Sequence, residues 1–129
     1  MSIFMLEHHT ILTWAVWRKE VSKVSAKLVN YTVQTYMNER DMNFADSQWQ
    51  ELKKEYLPRL KVAGLKKMTG MRIWNKEGAF SIGWVFEYEN EEAFKKCRPI
   101  WQEIDRLEQS QYPLKTLSFR GVVISEEEL

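Results

Sequence analysis

Arg72, Glu87 and Arg120 are the residues whose types and strand positions best suit anion or acid–base chemistry in this sequence. A pair of guanidinium groups holds a carboxylate or an enolate, and a carboxylate beside them serves as base or orients one Arg. The plainer reading is a structural Arg–Glu pair. Around them, Asn30, Thr32, Gln34, Tyr36, Trp74 and Ser118 can supply an aromatic wall and convergent hydrogen bonds to a flat organic ligand. The same residue types also serve a dimer interface. Metal and nucleophile chemistry is poorly provided for. His8 and His9 are the only histidines, and neighbours in sequence point to different sides of a helix or strand, so no shared metal site is expected. Cys97, the only cysteine, excludes an internal disulfide and falls on an apolar helical stripe with no His nearby to activate it. No glycine loop is built to cradle a phosphate. No cofactor is expected.

These side chains need strands to present them together. From Lys27 to Glu39 the sequence alternates with period two, Val29, Tyr31 and Val33 against Asn30, Thr32, Gln34 and Tyr36, which reads as a strand. Arg40 to Asp46 reads as a loop. Ser47 and Gln50 then form a capping box for a helix carrying Trp49, Leu52, Tyr56, Leu60 and Ala63 at helical spacing. Pro58 predicts a bend or restart, and Gly64 the end. Lys67–Asn75 and Ala79–Glu89 read as a hairpin around Asn75-Lys76-Glu77-Gly78. Asn90 caps a second helix with the stripe Phe94, Cys97, Trp101, Ile104 and Leu107, kinked at Pro99, and Leu114–Ile124 is a fourth strand.

Strand, helix, strand, strand, helix, strand is the ferredoxin-like split βαβ order, an α+β fold with one antiparallel sheet and both helices on one face. The apolar parity, Val29, Tyr31, Val33, Phe80, Ile82, Trp84, Phe86, Leu117, Phe119 and Val123, is expected under the helices. The mixed parity is expected on the bare face, where the candidate residues join Ser81, Val85, Thr116 and Val122 to line a cavity.

Residues 1–26 read as an N-terminal helical extension, helical from about Thr10 to Ser25, with His9 to Val16 also compatible with an extended segment, and 27–129 as the ferredoxin-like domain. At 129 residues, 44% hydrophobic with six Trp, the chain can bury one core. Nineteen basic against 18 acidic residues leave a net charge of +1, without the one-sided surplus that nucleic acid or an anionic membrane demands. No apolar run approaches the roughly 18 residues of a membrane span. No signal peptide is recognised, so a cytoplasmic setting is expected.

Phe80-Ser81-Ile82-Gly83-Trp84-Val85-Phe86-Glu87-Tyr88, running into Glu89-Asn90-Glu91-Glu92-Ala93-Phe94, looks like the third strand and acidic helix start of the dimeric α/β-barrel superfamily. That group includes antibiotic-biosynthesis-monooxygenase-like proteins, small polyketide cyclases and heme-degrading monooxygenases, and the resemblance covers about residues 27–124. It implies two sheets paired through their bare faces, a cavity per subunit, and a cofactor-independent monooxygenase or cyclase acting on an aromatic or polyketide-like substrate. Heme-degrading members use an Asn, Trp and His set; this chain has Asn30 and Trp49 but no His after His9, which argues against heme degradation. The alternative is a non-catalytic binding or assembly protein that uses the fold as a dimerisation module. Either way a homodimer is expected, because a bare face carrying Leu28, Tyr36, Trp74, Val85 and Val122 would leave an apolar patch exposed in a monomer.

Overall fold

Alternating β-branched and aromatic residues build the first strand, β1 (Leu28–Tyr36), in a computed structural model that describes residues 27–76, 78–108 and 112–129. The expected N-terminal helix lies outside the described residues. Helix α1 (Glu39–Ala63) follows, then β2 (Leu65–Arg72), β3 (Phe80–Tyr88), α2 (Glu91–Glu108) and β4 (Leu114–Val122). The four strands form one antiparallel sheet in the order β2-β3-β1-β4, the ferredoxin-like arrangement.

Helix α1 starts earlier than the capping box at Ser47 predicts. Asn38 takes the cap instead, its Oδ1 accepting from the Asp41 amide at 2.8 Å, with Glu39 and Asp41 at the positive end of the helix dipole. The expected loop at Arg40 to Asp46 is therefore helical. Met42 and Ala45 there are buried against Tyr36, Ile82 and Tyr112, and that burial carries the helix back to residue 39. Pro58 sits inside a continuous 25-residue helix rather than restarting it. Gly64 ends it at φ +114°, a left-handed conformation few other residues tolerate, and its amide caps the carbonyls of Leu60 and Lys61. Asn90 caps α2 as expected, accepting from the Ala93 amide at 2.9 Å.

Cross-strand register sorts the side chains into two faces, because paired residues project to the same side. Asn30 pairs with Phe86 and Arg120, Thr32 with Trp84 and Ser118, and Gln34 with Ile82 and Thr116. Phe86 and Ile82 are buried beneath the helices, so the even-numbered residues of β1 and β4 face the helices too. This corrects the expected parity. Val29, Tyr31, Val33, Leu117 and Phe119 point to the bare face, whereas Phe80, Ile82, Trp84 and Phe86 lie under the helices as expected. Leu28 and Tyr36, expected on the bare face, are buried in the core.

Two apolar clusters fill the space between sheet and helices, one around Leu60, Tyr88 and Cys97 and one around Tyr36, Met42 and Tyr112, with Trp84 packed against both. The helices pack on β1, β2 and β3. Edge strand β4 is exposed along its length apart from half-buried Leu114. No described helix is long and apolar enough to cross a membrane.

Candidate functional site

Because the helices cover β2 and β3 but not β4, a cleft of about 750 Å³ runs between α2 and the β1–β4 half of the sheet. Its floor is Asn30, Thr32, Gln34 and Tyr36 from β1, with Thr116, Ser118 and Arg120 from β4. At about 3.3 Å per residue, Asn30 and Tyr36 stand roughly 20 Å apart along that floor. The wall is aromatic. Trp101 meets Phe86 edge to face at 4.9 Å between centroids, and Trp49 lies 6.1 Å from Trp101 and 6.3 Å from Trp84. The Trp101 indole donates to the Tyr88 hydroxyl at 2.8 Å, which satisfies both groups.

Polar groups on the floor form two local networks. Thr32 Oγ1 lies 3.0 Å from Asn30 Oδ1 and 2.9 Å from Ser118 Oγ, and Ser118 Oγ lies 2.9 Å from Asn30 Oδ1. Further along, Gln34 Oε1 accepts from Trp84 Nε1 at 3.0 Å and from the Tyr36 hydroxyl at 3.2 Å.

Charge is segregated along the cleft. The Arg120 guanidinium stacks 4.8 Å above the Phe94 ring, and Arg98 follows Phe94 by one helical turn. Asp105 and Glu108 line the other end, where the Glu108 carboxyl is pushed up to about 7 by burial and by the neighbouring Asp105 charge. Burial pushes the Tyr112 phenol up to about 12 and moves the Tyr36 phenol upward as well, so both are neutral donors at neutral pH. One end is cationic; the other is acidic with a carboxyl able to exchange a proton near neutrality.

Of the residues singled out from sequence, Asn30, Thr32, Gln34, Tyr36, Ser118 and Arg120 come together in this cleft. Arg72 shares the helix-facing side but lies outside the lining, where its Nη2 donates to Asn43 Oδ1 at 3.1 Å. Trp74 follows the end of β2 and is 89% exposed. Glu87 pairs with Val29 and Lys67 on the opposite face, so the expected Arg72–Glu87–Arg120 grouping does not form. Sequence reasoning missed Arg98, Asp105 and Glu108, although Phe94, Arg98, Trp101, Asp105 and Glu108 are spaced 4, 3, 4 and 3 along one helical face. Among the described residues, no group of three His, Cys, Asp or Glu side chains is placed to hold a metal ion.

A family model described as a domain of unknown function (DUF6974) matches residues 25–123. Two crystal structures of proteins described as dimeric ferredoxin-like, both from an uncultured marine organism, overlay well. One has a TM-score of 0.75 at 20% identity, covering 79% of this chain and 99% of that one. The other has a TM-score of 0.70 at 27% identity, covering 80% of this chain and 99% of that one. The cofactor-independent oxygenase SnoaB from Streptomyces nogalater overlays at a TM-score of 0.43 and 13% identity, covering 79% of this chain and 96% of that one, too loose a likeness to speak to activity. No curated protein matches the sequence.

Proposed function

This chain belongs to the DUF6974 family, and we propose that it is a homodimeric small-molecule-binding protein acting on a flat aromatic or polyketide-like substrate as a cofactor-independent monooxygenase or cyclase. The observation that carries the reading is the cleft: about 750 Å³, walled by Trp49, Trp84, Phe86 and Trp101 and floored by hydrogen-bonding side chains. Clefts of several hundred Å³ with apolar walls and a few convergent polar groups are where small organic ligands bind. The aromatic rings stack on a planar ligand, the β1–β4 floor orients its oxygens, and Glu108 is the cleft carboxyl suited to take a proton from a ligand hydroxyl at neutral pH.

The apolar residues exposed on the bare face support the dimer. Tyr31, Leu117 and Phe119 are 38%, 55% and 60% exposed there, and Val29, Val33 and Val85 share the face. A two-fold pairing of such a patch buries it on both copies at once. Both well-overlaid relatives are described as dimeric. A cytoplasmic setting goes with this reading, on the single unpaired cysteine.

The test is a panel of planar aromatic substrates followed by oxygen uptake and product chromatography, with Glu108→Gln and Tyr36→Phe beside the wild type. Turnover that falls at least tenfold in Glu108→Gln supports the acid–base assignment. Turnover unchanged in both variants removes these residues from the mechanism. Saturable binding with no turnover anywhere on the panel favours the non-catalytic binding protein instead.

A further inference from the structure

Of the two amides on the cleft floor, one has a fixed orientation. An indole N–H can only donate, so the atom of Gln34 that meets Trp84 Nε1 at 3.0 Å has to be the carbonyl oxygen. The Tyr36 hydroxyl donates to the same oxygen at 3.2 Å, which fills its two lone pairs. The Gln34 NH2 is thereby held away from Trp84, and it has no hydrogen-bond partner among the described residues, although the residue lines the cleft. The Asn30 amide lacks such an anchor. Its neighbours are the hydroxyls of Thr32 and Ser118, which accept as readily as they donate and so suit either end of an amide.

Building on the cleft as a ligand site, we propose that Gln34 is a specificity-determining residue: a donor locked by Trp84 that reads an acceptor oxygen, a ketone or phenolate, on the bound aromatic ligand. A ligand lacking that oxygen leaves the amide hydrogens facing an apolar surface with their water removed, and that loss is what discriminates. The oxygen so read belongs near the middle of the ligand. Gln34 stands in the row with Ile82 and Thr116, two rows from Arg120, at roughly 13 Å along the floor. A second, anionic oxygen at one end of the ligand would reach the Arg98 and Arg120 end of the cleft.

Two probes of nearly equal shape isolate the contact: fluorenone-2-carboxylate, and fluorene-2-carboxylate, which lacks the ketone oxygen. Binding is read by quenching of tryptophan fluorescence, since Trp49, Trp84 and Trp101 line the cleft. Wild-type protein is expected to prefer the ketone at least tenfold. Gln34→Glu, measured at pH 8, keeps an oxygen for Trp84 and Tyr36 but replaces the amide donor with a second acceptor, so the preference should vanish or reverse. Gln34→Met removes the donor without adding charge and should bring the two probes to equal affinity. Equal affinity in the wild type, or a preference that survives in both variants, overturns the role of Gln34 while leaving the cleft a ligand site. Failure of both probes to quench at millimolar concentration overturns the cleft reading, and the role of Gln34 with it.

Discussion

Gly70 lies in β2 directly beneath the indole of Trp84, and replacing it with alanine tests how tightly the cleft wall is built. A Cβ at this position would meet Trp84 Cζ3 at 2.4 Å and Cε3 at 2.9 Å. Non-bonded carbons settle at about 3.5–4.0 Å, so the ring must retreat by roughly 1 Å. Gln34 stands on β1, across β3 from β2, so that retreat drives Trp84 Nε1 against its 3.0 Å partner and spoils the geometry of the hydrogen bond. Overpacking costs about 1–3 kcal/mol and the lost hydrogen bond about 1, against a gain of about 0.5–1 from relieving a mid-strand glycine. The net expectation for Gly70→Ala is a loss of about 1–3 kcal/mol, or a urea midpoint lower by roughly 1 M at the slope usual for small domains. In a Trp84→Leu background the added methyl has room, and the same change should be neutral or stabilising by about 0.5–1 kcal/mol. Urea unfolding of the four proteins gives the coupling directly. A midpoint that rises on Gly70→Ala in the wild-type background refutes the reasoning, because the indole then does not rest on the glycine.

Glu108 should make stability fall as pH rises. Its folded pKa of about 7 lies above the ordinary 4.5, so the folded state holds the extra proton between those values and loses that advantage across the window. After discounting for partial exposure the loss is about 1–2 kcal/mol, and thermal melts of Glu108→Gln should show a flatter profile between pH 4.5 and 7. Phe119→Glu places a charge on the bare face and should shift the protein to a monomer in sedimentation velocity at micromolar concentration, with the cleft still binding its probe. Cys97 is fully buried, its Sγ 3.6 Å from the Leu60 carbonyl and its pKa raised by burial, so a disulfide reagent should label it only on unfolding. Rapid labelling of the native protein would count against that packing.

The element order could be read from the sequence because β1, β3 and β4 alternate, the Asn75–Gly78 turn sets β2 against β3, and each helix carries an apolar stripe. Face assignment in β1 and β4 could not. Val29, Tyr31 and Val33 look like core residues and Asn30, Thr32 and Gln34 like surface residues, yet the register turns the first set outward and the second inward. The physical reason is that the interior beside β1 is a cleft, which wants hydrogen-bonding groups, while the apolar set occupies an exposed face of the kind that suits association. Periodicity reports that two faces differ; it does not say which one the helices cover. Trp74 misled for a related reason, since an aromatic at a strand end matches the alternation but extends past the last pairing of β2, at Arg72. Arg98, Asp105 and Glu108 were hidden because charged residues on a helix ordinarily read as a solvated face.

Strand β4 is written in two interleaved messages. Thr116, Ser118 and Arg120 address the cleft, while Leu117 and Phe119, set between them, address the opposite surface. The strand therefore has something like a reading frame. Insertion or deletion of one residue after Leu114 would exchange the two messages, delivering leucine and phenylalanine to the cleft and arginine and serine to the bare face. A change of two residues would keep both messages in place and only shift them along the sheet. Natural length variation within this strand should accordingly come in steps of two, and drift at even positions should alter what is bound while drift at odd positions alters who is met.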